Sequence, residues 1–336
     1  MPAAVTTPRA LAQRYLLLGA VLLVTLLLAV RIGAVRLDNG QVLDALRGRA
    51  DPATSTIVLG LRLPRVVLAA LCGAALSMSG ATYQALLRNA LAEPYILGVS
   101  SGAAAGAVAA TVFGLDAYGP WIIPVFAFVG SLVAIALVLR VAFTEGRVLD
   151  HRTLILAGVV VGAFGNAVVL LFLTFSDADA FRSAVFWLMG SLAGATWGRV
   201  LLLAIPLVVS GALLFGLARS LDLLSVGEPT AAALGVPVER IKYACFVLAA
   251  VLAATAVAVS GVIGFVGLLV PHAVRLKWGS GHRQLMPAAA LTGAIFLVAT
   301  DALARTVAAP TELPLGVITA LLGVPLFVVL LRRGHA

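Results

Sequence analysis

Apart from the glycine-broken 183–198, nine long stretches of this chain contain no Asp, Glu, Lys or Arg: 15–30, 66–87, 94–115, 117–139, 153–176, 200–218, 243–274, 284–300 and 313–331. A bilayer's hydrocarbon core is about 30 Å thick, and a helix needs about 20 apolar residues to cross it. In lipid the backbone must satisfy its own hydrogen bonds, which leaves helices or a closed barrel. Runs of this length specify the helical solution. The fold class is therefore all-α, a polytopic membrane protein with about ten transmembrane helices in a single transmembrane domain over 1–336. Composition agrees: 62% of residues are hydrophobic and 11% charged. A soluble domain carries roughly 25% charged residues, so too few are present to coat a water-facing surface.

The run 243–274 is too long for one helix of ordinary tilt. Ser260-Gly261, with Gly264 and Gly267, offers a bend, and dividing the run there gives ten spans. Charge supports an even number. Arg9 and Arg14 mark one end and Arg332 and Arg333 the other, and basic ends favour the cytoplasmic side. Cytoplasmic segments then hold Arg88, next Arg140, Arg147 and Arg152, next Arg219, Arg240 and Lys242, and last Arg275, Lys277 and Arg283. Later external segments hold only Arg182, Arg199 and Arg305. The first external segment breaks the trend with Arg31, Arg36, Arg47, Arg49, Arg62 and Arg65, partly offset by Asp38, Asp44 and Asp51. It reads as a basic outer patch for an acidic partner.

Smaller features fit this frame. Segment 1–31 imitates a signal peptide but lacks a small-x-small cleavage site, and more spans follow, so it reads as an uncleaved first helix. Segment 183–198 is uncharged but broken by Gly190, Ser191, Gly194 and Thr196 and flanked by Trp187 and Trp197, as in a short interfacial segment. Gly98, Gly102 and Gly106 repeat at every fourth residue, as do Gly158 and Gly162, a spacing that lets membrane helices approach closely. The net charge of +9 lies between apolar runs and not on a soluble face. This suits anionic lipid and argues against nucleic acid.

The chemistry of most enzyme classes is missing. Neither lysine, Lys242 nor Lys277, follows a glycine, so there is no phosphate-cradling GxxxxGK[ST] loop. HExxH is absent, Cys72 and Cys245 are isolated, and His151, His272, His282 and His335 are scattered, so no metal or catalytic residue is expected. Asp301 reads as the only acid close to the membrane interior, with Arg305 four residues on, where a helix would pair them. Ion-coupled transporters keep ionisable groups at mid-membrane. An interior this inert points to an outside energy source. An ion-coupled secondary transporter or a passive channel for a small solute is the alternative, and co-purification with an ATPase distinguishes them.

Four motifs carry a family likeness. Arg62-Leu63-Pro64-Arg65 opens the second span. Gln84-Ala85-Leu86-Leu87-Arg88-Asn89-Ala90-Leu91-Ala92-Glu93-Pro94 leads into Leu97-Gly98-Val99-Ser100-Ser101-Gly102-Ala103. Gly261-Val262-Ile263-Gly264-Phe265-Val266-Gly267-Leu268 runs on through Pro271-His272 to Arg275, and Asp301 and Arg305 precede Glu312-Leu313-Pro314-Leu315-Gly316. In this order they resemble the permease family of iron-siderophore, haem and vitamin B12 ABC importers, from about residue 60 to 330. One departure is Ala90, where the family usually has proline, so the turn loses that ring's rigidity.

The resemblance implies a bacterial inner-membrane permease with both termini cytoplasmic, pairing with a second copy of itself around the pore. Two separate ABC ATPase subunits would use ATP and Mg2+, and this chain would bind no cofactor. A periplasmic or lipid-anchored binding protein would deliver a siderophore, haem or cobalamin, iron chelates being the commoner cargo. Arg62, Arg65 and Arg305 match positions that dock that protein. Segment 225–240 resembles the element that couples to the ATPase, with Glu228, Pro229, Ala232, Leu234 and Gly235 at its centre. Pro229 suits a first helical turn, Gly235 a helix stop and Pro237 the next helix start, giving two short helices in a compact knob. Its apolar Ala231-Ala232-Ala233-Leu234 wants a covering partner. Asn89 and Leu91 fall where the family's cytoplasmic gate closes.

Overall fold

The computed structural model describes residues 8–33, 35, 37–143 and 149–334. Arg36, Arg147 and His335 lie outside the described residues. The helices are α1 (Pro8–Arg31), α2 (Asn39–Leu46), α3 (Pro52–Ser55), α4 (Leu63–Leu86), α5 (Val99–Val112), α6 (Ile122–Ala142), α7 (His151–Thr174) and α8 (Ala178–Leu188). There follow α9 (Trp197–Gly216), α10 (Ala218–Val226), α11 (Glu228–Ala233), α12 (Val238–Ser260), α13 (Val266–Trp278), α14 (His282–Ala304) and α15 (Leu315–Gly334). Among the described residues seven helices are long and apolar enough to cross a membrane, and α5 and α15 are shorter apolar helices. The long run breaks where its glycines suggest: α12 ends at Ser260, and α13 takes up the chain at Val266.

α4 lies at the heart of the bundle, against α9, α12, α13 and α14. The span that contains it does not begin at the Arg62–Arg65 motif. A continuous helix runs from Pro52, capped by the Asp51 carboxylate on the Thr54 amide at 3.0 Å, and winds as a π-helix over Thr56–Arg62 before α4. Arg62 and Arg65 therefore sit inside a helix and not at its mouth. Pro64 is tolerated because the adjoining π turn already loosens the usual ladder there.

The glycine pattern is half met. Gly102 and Gly106 of α5 face α6, where a Cβ on either would overlap the carbonyls of Gly130 and Phe126. Gly98 leaves that face. With φ +79° it ends a 3-10 turn over Pro94–Leu97 and starts α5, so α5 begins late. Segment 183–198 is not a single element. Its first part belongs to α8, and the following loop stitches two spans, with Ser191 N donating to Ser260 O (2.8 Å) and Gly316 N to Met189 O (3.0 Å).

The bundle has two poles. At one, the C-terminal end of α1 meets Arg62 and Arg305. At the other, Tyr15 of α1 donates to Gln284 O near the start of α14, and His282 binds Asp222 of α10. α15 starts at the first pole beside Gly190 and ends at the second, so both described ends of the chain share a pole, as an even number of spans requires.

Candidate functional site

At the first pole one buried carboxylate gathers two arginines. Asp301, in the last turn of α14, accepts from Arg65 Nε (3.1 Å) and Nη2 (3.0 Å) and forms an ion pair with Arg305 Nε at 3.1 Å. Arg65 also reaches Glu312 at 2.9 Å. Arg305 donates to Ala29 O (3.2 Å) and Ile32 O (3.3 Å), while Arg62 donates to Val30 O and Arg31 O (both 2.9 Å) and to Val35 O. A helix's last carbonyls lack intrahelical partners. Here two guanidiniums from distant helices satisfy those of α1 and lock it to the bundle.

This placement changes the sequence picture of three outward-facing charges. Arg62 and Arg305 are 7% and 6% exposed, with their donors turned inward onto α1. Arg65, bridging to the half-exposed Glu312, is the member of the trio that nears the surface. Arg47 and Arg49 stay exposed beside α2. The trio acts first as a brace.

At the opposite pole stands a knob. α10 and α11 are its two short helices, and Gly235, at φ +82°, stops α11 where the sequence places the stop. The helix opened after Pro237 is the long α12 and not a second short one, because the apolar run continues without a break to Ser260. Ala231 is buried as the knob's root, while Pro229, Ala232, Ala233 and Gly235 are exposed and Leu234 is 63% exposed. Glu228 points the other way. It meets Lys242 Nζ (3.1 Å), His151 Nε2 (2.7 Å) and Arg88 (3.8 Å). Lys242, 1% exposed, also binds Glu239 (2.7 Å) and Leu149 O (2.7 Å). Asp150 caps α7 beside this network, and its hydrogen bonds from the Thr153 amide and hydroxyl pull its carboxyl below the ordinary value.

The knob is tied to the turn after α4. Arg88, a non-glycine residue at φ +45°, donates from Nε to Leu224 O at 3.1 Å and faces Glu228. Asn89 follows. Its side-chain oxygen accepts from Leu91 N (2.9 Å), closing the turn that Ala90 leaves without a proline ring, and both Asn89 and Leu91 are exposed. Ion pairs and hydrogen bonds thus join the turn after α4 to α7, α10, α11 and α12.

Sequence reasoning missed a second interior acid. Asp301 is not alone: Glu93 accepts from Phe265 N at 2.8 Å, and the Tyr95 hydroxyl donates to Ile263 O (2.8 Å) while accepting from Ile263 N (3.1 Å). Together they satisfy the unwound backbone between α12 and α13, which an open lipid-facing loop could not do. Phe265 packs on Gly323, well inside α15, so this junction lies within the bundle. The signal available was the Glu93-Pro94 pair at the head of an apolar run, but its partner lies 172 residues away.

Among the described residues, seven long apolar helices and two shorter ones, with a charge brace at one pole and an apolar knob at the other, build a membrane-spanning helical bundle. Residues 21–333 match the FecCD transport family. The chain is 47% identical over 284 residues to the cobalamin import system permease protein BtuC of Halobacterium salinarum, covering 84% of this chain and 75% of that one. It is 40% identical over 339 residues to the hemin transport system permease protein HmuU of Yersinia pestis, covering 96% of each. A solved inward-facing transporter, ascribed to the metal-chelate ABC type, matches with a TM-score of 0.86 at 34% identity, covering 97% of this chain and all of that one. The chain belongs to the FecCD transport family, as the permease subunit of an ABC importer.

Proposed function

We propose that this permease carries a bulky chelate or corrinoid across the inner membrane by alternating access, its cargo drawn from iron-siderophore, haem and cobalamin. The cobalamin and hemin named for its relatives motivate that range. Two copies form the pore, both termini face the cytoplasm, and a single transmembrane domain spans the chain. The chain itself holds no cofactor. ATP and Mg2+ act in two partner ATPase subunits that grip the α11 knob through Pro229, Ala232, Leu234 and Gly235. Glu228 passes their motion through Lys242 and Arg88 to the turn at Asn89 and Leu91, where the inner gate closes. A substrate-binding protein docks at the other pole. Arg65 meets it there, while Arg62 and Arg305 hold the docking floor in shape.

The observation that carries this reading is the knob itself, an apolar tip left open on a root fixed by buried charge. An exposed leucine alone means little; one presented on a rigid, otherwise apolar helix end calls for a partner. Leu234→Asp is expected to abolish co-purification of the ATPase while the variant permease melts as wild type does, since the site faces solvent. Retention of the ATPase at wild-type yield would move the contact away from α11.

A further inference from the structure

At the α11 pole a groove of about 1160 Å³ lies between α1, α13 and α15. Leu17, Leu18, Leu269, Val274, Leu326 and Leu330 make its walls, so its body is hydrocarbon. Its mouth is not. Arg14 and Lys277 line it, and among the described residues neither takes part in an ion pair. Arg14 is held in place, its guanidinium carbon 5.7 Å from the centre of the Trp278 ring, which in turn packs against Tyr15 with ring centres 4.9 Å apart and planes tilted by 53°. Tyr15 is itself fixed by its hydrogen bond to Gln284 O at 3.0 Å.

We propose that this groove binds one anionic phospholipid of the adjoining leaflet. The acyl chain lies along the leucine-rich wall, Trp278 sits at headgroup depth, and Arg14 with Lys277 receives the phosphodiester. Each part matches its counterpart. Tryptophan and tyrosine favour the membrane interface, and basic pockets between helices suit acidic headgroups. Two unpaired cations at the mouth select a net-negative lipid over a zwitterionic one. Arg14 has lost part of its freedom before binding, which lowers the ordering cost. The proposal depends on the chain spanning a bilayer and not on its cargo, its ATPase or which face is cytoplasmic.

The test uses Trp278 as reporter. Trp121, Trp187 and Trp197 are replaced by Phe in the full chain, leaving Trp278 as the only tryptophan. Reconstitution is into vesicles of phosphatidylcholine containing a minor fraction of acyl-brominated phosphatidylglycerol or of phosphatidylcholine with identical brominated chains. The expected result is quenching by phosphatidylglycerol at an apparent affinity on the order of tenfold above phosphatidylcholine, weakening with salt. Lys277→Gln, on an exposed residue outside the Arg14–Trp278–Tyr15 contacts, should lose part of that preference. Arg14→Gln with Lys277→Gln should lose it all, and Arg14→Lys should recover some. Equal quenching by both lipids in the parent chain, or a preference that survives the double substitution, would overturn the site. Protection of Trp278 from both lipids would place protein in the groove and overturn it equally.

Discussion

Lys242→Met is expected to reduce ATP-driven uptake by at least on the order of tenfold while the ATPase still co-purifies. Lys242 is 1% exposed and holds Glu228, Glu239 and Leu149 O together at 3.1, 2.7 and 2.7 Å. Removing one member of a buried charge pair costs about 3–5 kcal/mol. Here the cost falls toward the lower end, because Glu228 and Glu239 are partly exposed and turn to water. The fold survives, but α11 is no longer fixed to α12 and the turn at Arg88. Adding Glu228→Gln and Glu239→Gln should restore melting temperature without restoring transport, since the link itself is gone. Uptake assayed in proteoliposomes decides it, and wild-type rates in Lys242→Met would show that the network only stabilises.

Asp301→Asn is expected to destabilise the permease by about 3–5 kcal/mol, read as a fall in melting temperature of the detergent-purified chain. Asp301 is 1% exposed and is the carboxylate shared by Arg65 and Arg305, while Arg62 stands close by on the α1 carbonyls. With an amide in its place, like charges crowd one another and α1 loses its anchor. Arg305→Gln added to Asp301→Asn should recover part of the loss, because the stranded cation goes with its partner. Arg65→Glu sets a carboxylate against Asp301 and Glu312 and so strikes brace and docking together, lowering both the melting temperature and the association rate of the binding protein at low salt. An unchanged melting temperature in Asp301→Asn would contradict the brace.

The spans were legible because a membrane forbids charge along whole helices, and that absence is local and countable. The break at Ser260-Gly261 was legible for a related reason: the run was too long for one crossing and offered glycines at one place. α11 was legible from Pro229 and Gly235, residues whose backbone preferences mark helix ends. What stayed hidden depends on distant contacts. Arg62 and Arg65 looked like the start of a helix because a charged, proline-containing motif precedes an apolar run. Only the carbonyls of α1, 31 and 32 residues away, turn Arg62 inward. Glu93 faces Phe265 and Lys242 meets Glu228 across turns that no spacing rule relates. Glu239, three residues before Lys242, was the one partner within reach of a helical pattern.

Uptake by proteoliposomes measures the central claim most directly: an importer permease powered by a separate ATPase through α11. Vesicles carry this chain alone, the chain with its ATPase, or the Leu234→Asp chain with the ATPase. The loaded binding protein is supplied on the face opposite α11, and ATP with Mg2+ on the α11 face. The account predicts no ATP hydrolysis or accumulation with the chain alone, ATP-dependent accumulation with the complete system, and its loss in Leu234→Asp. Accumulation by the chain alone, or driven by an ion gradient without ATP, would contradict it.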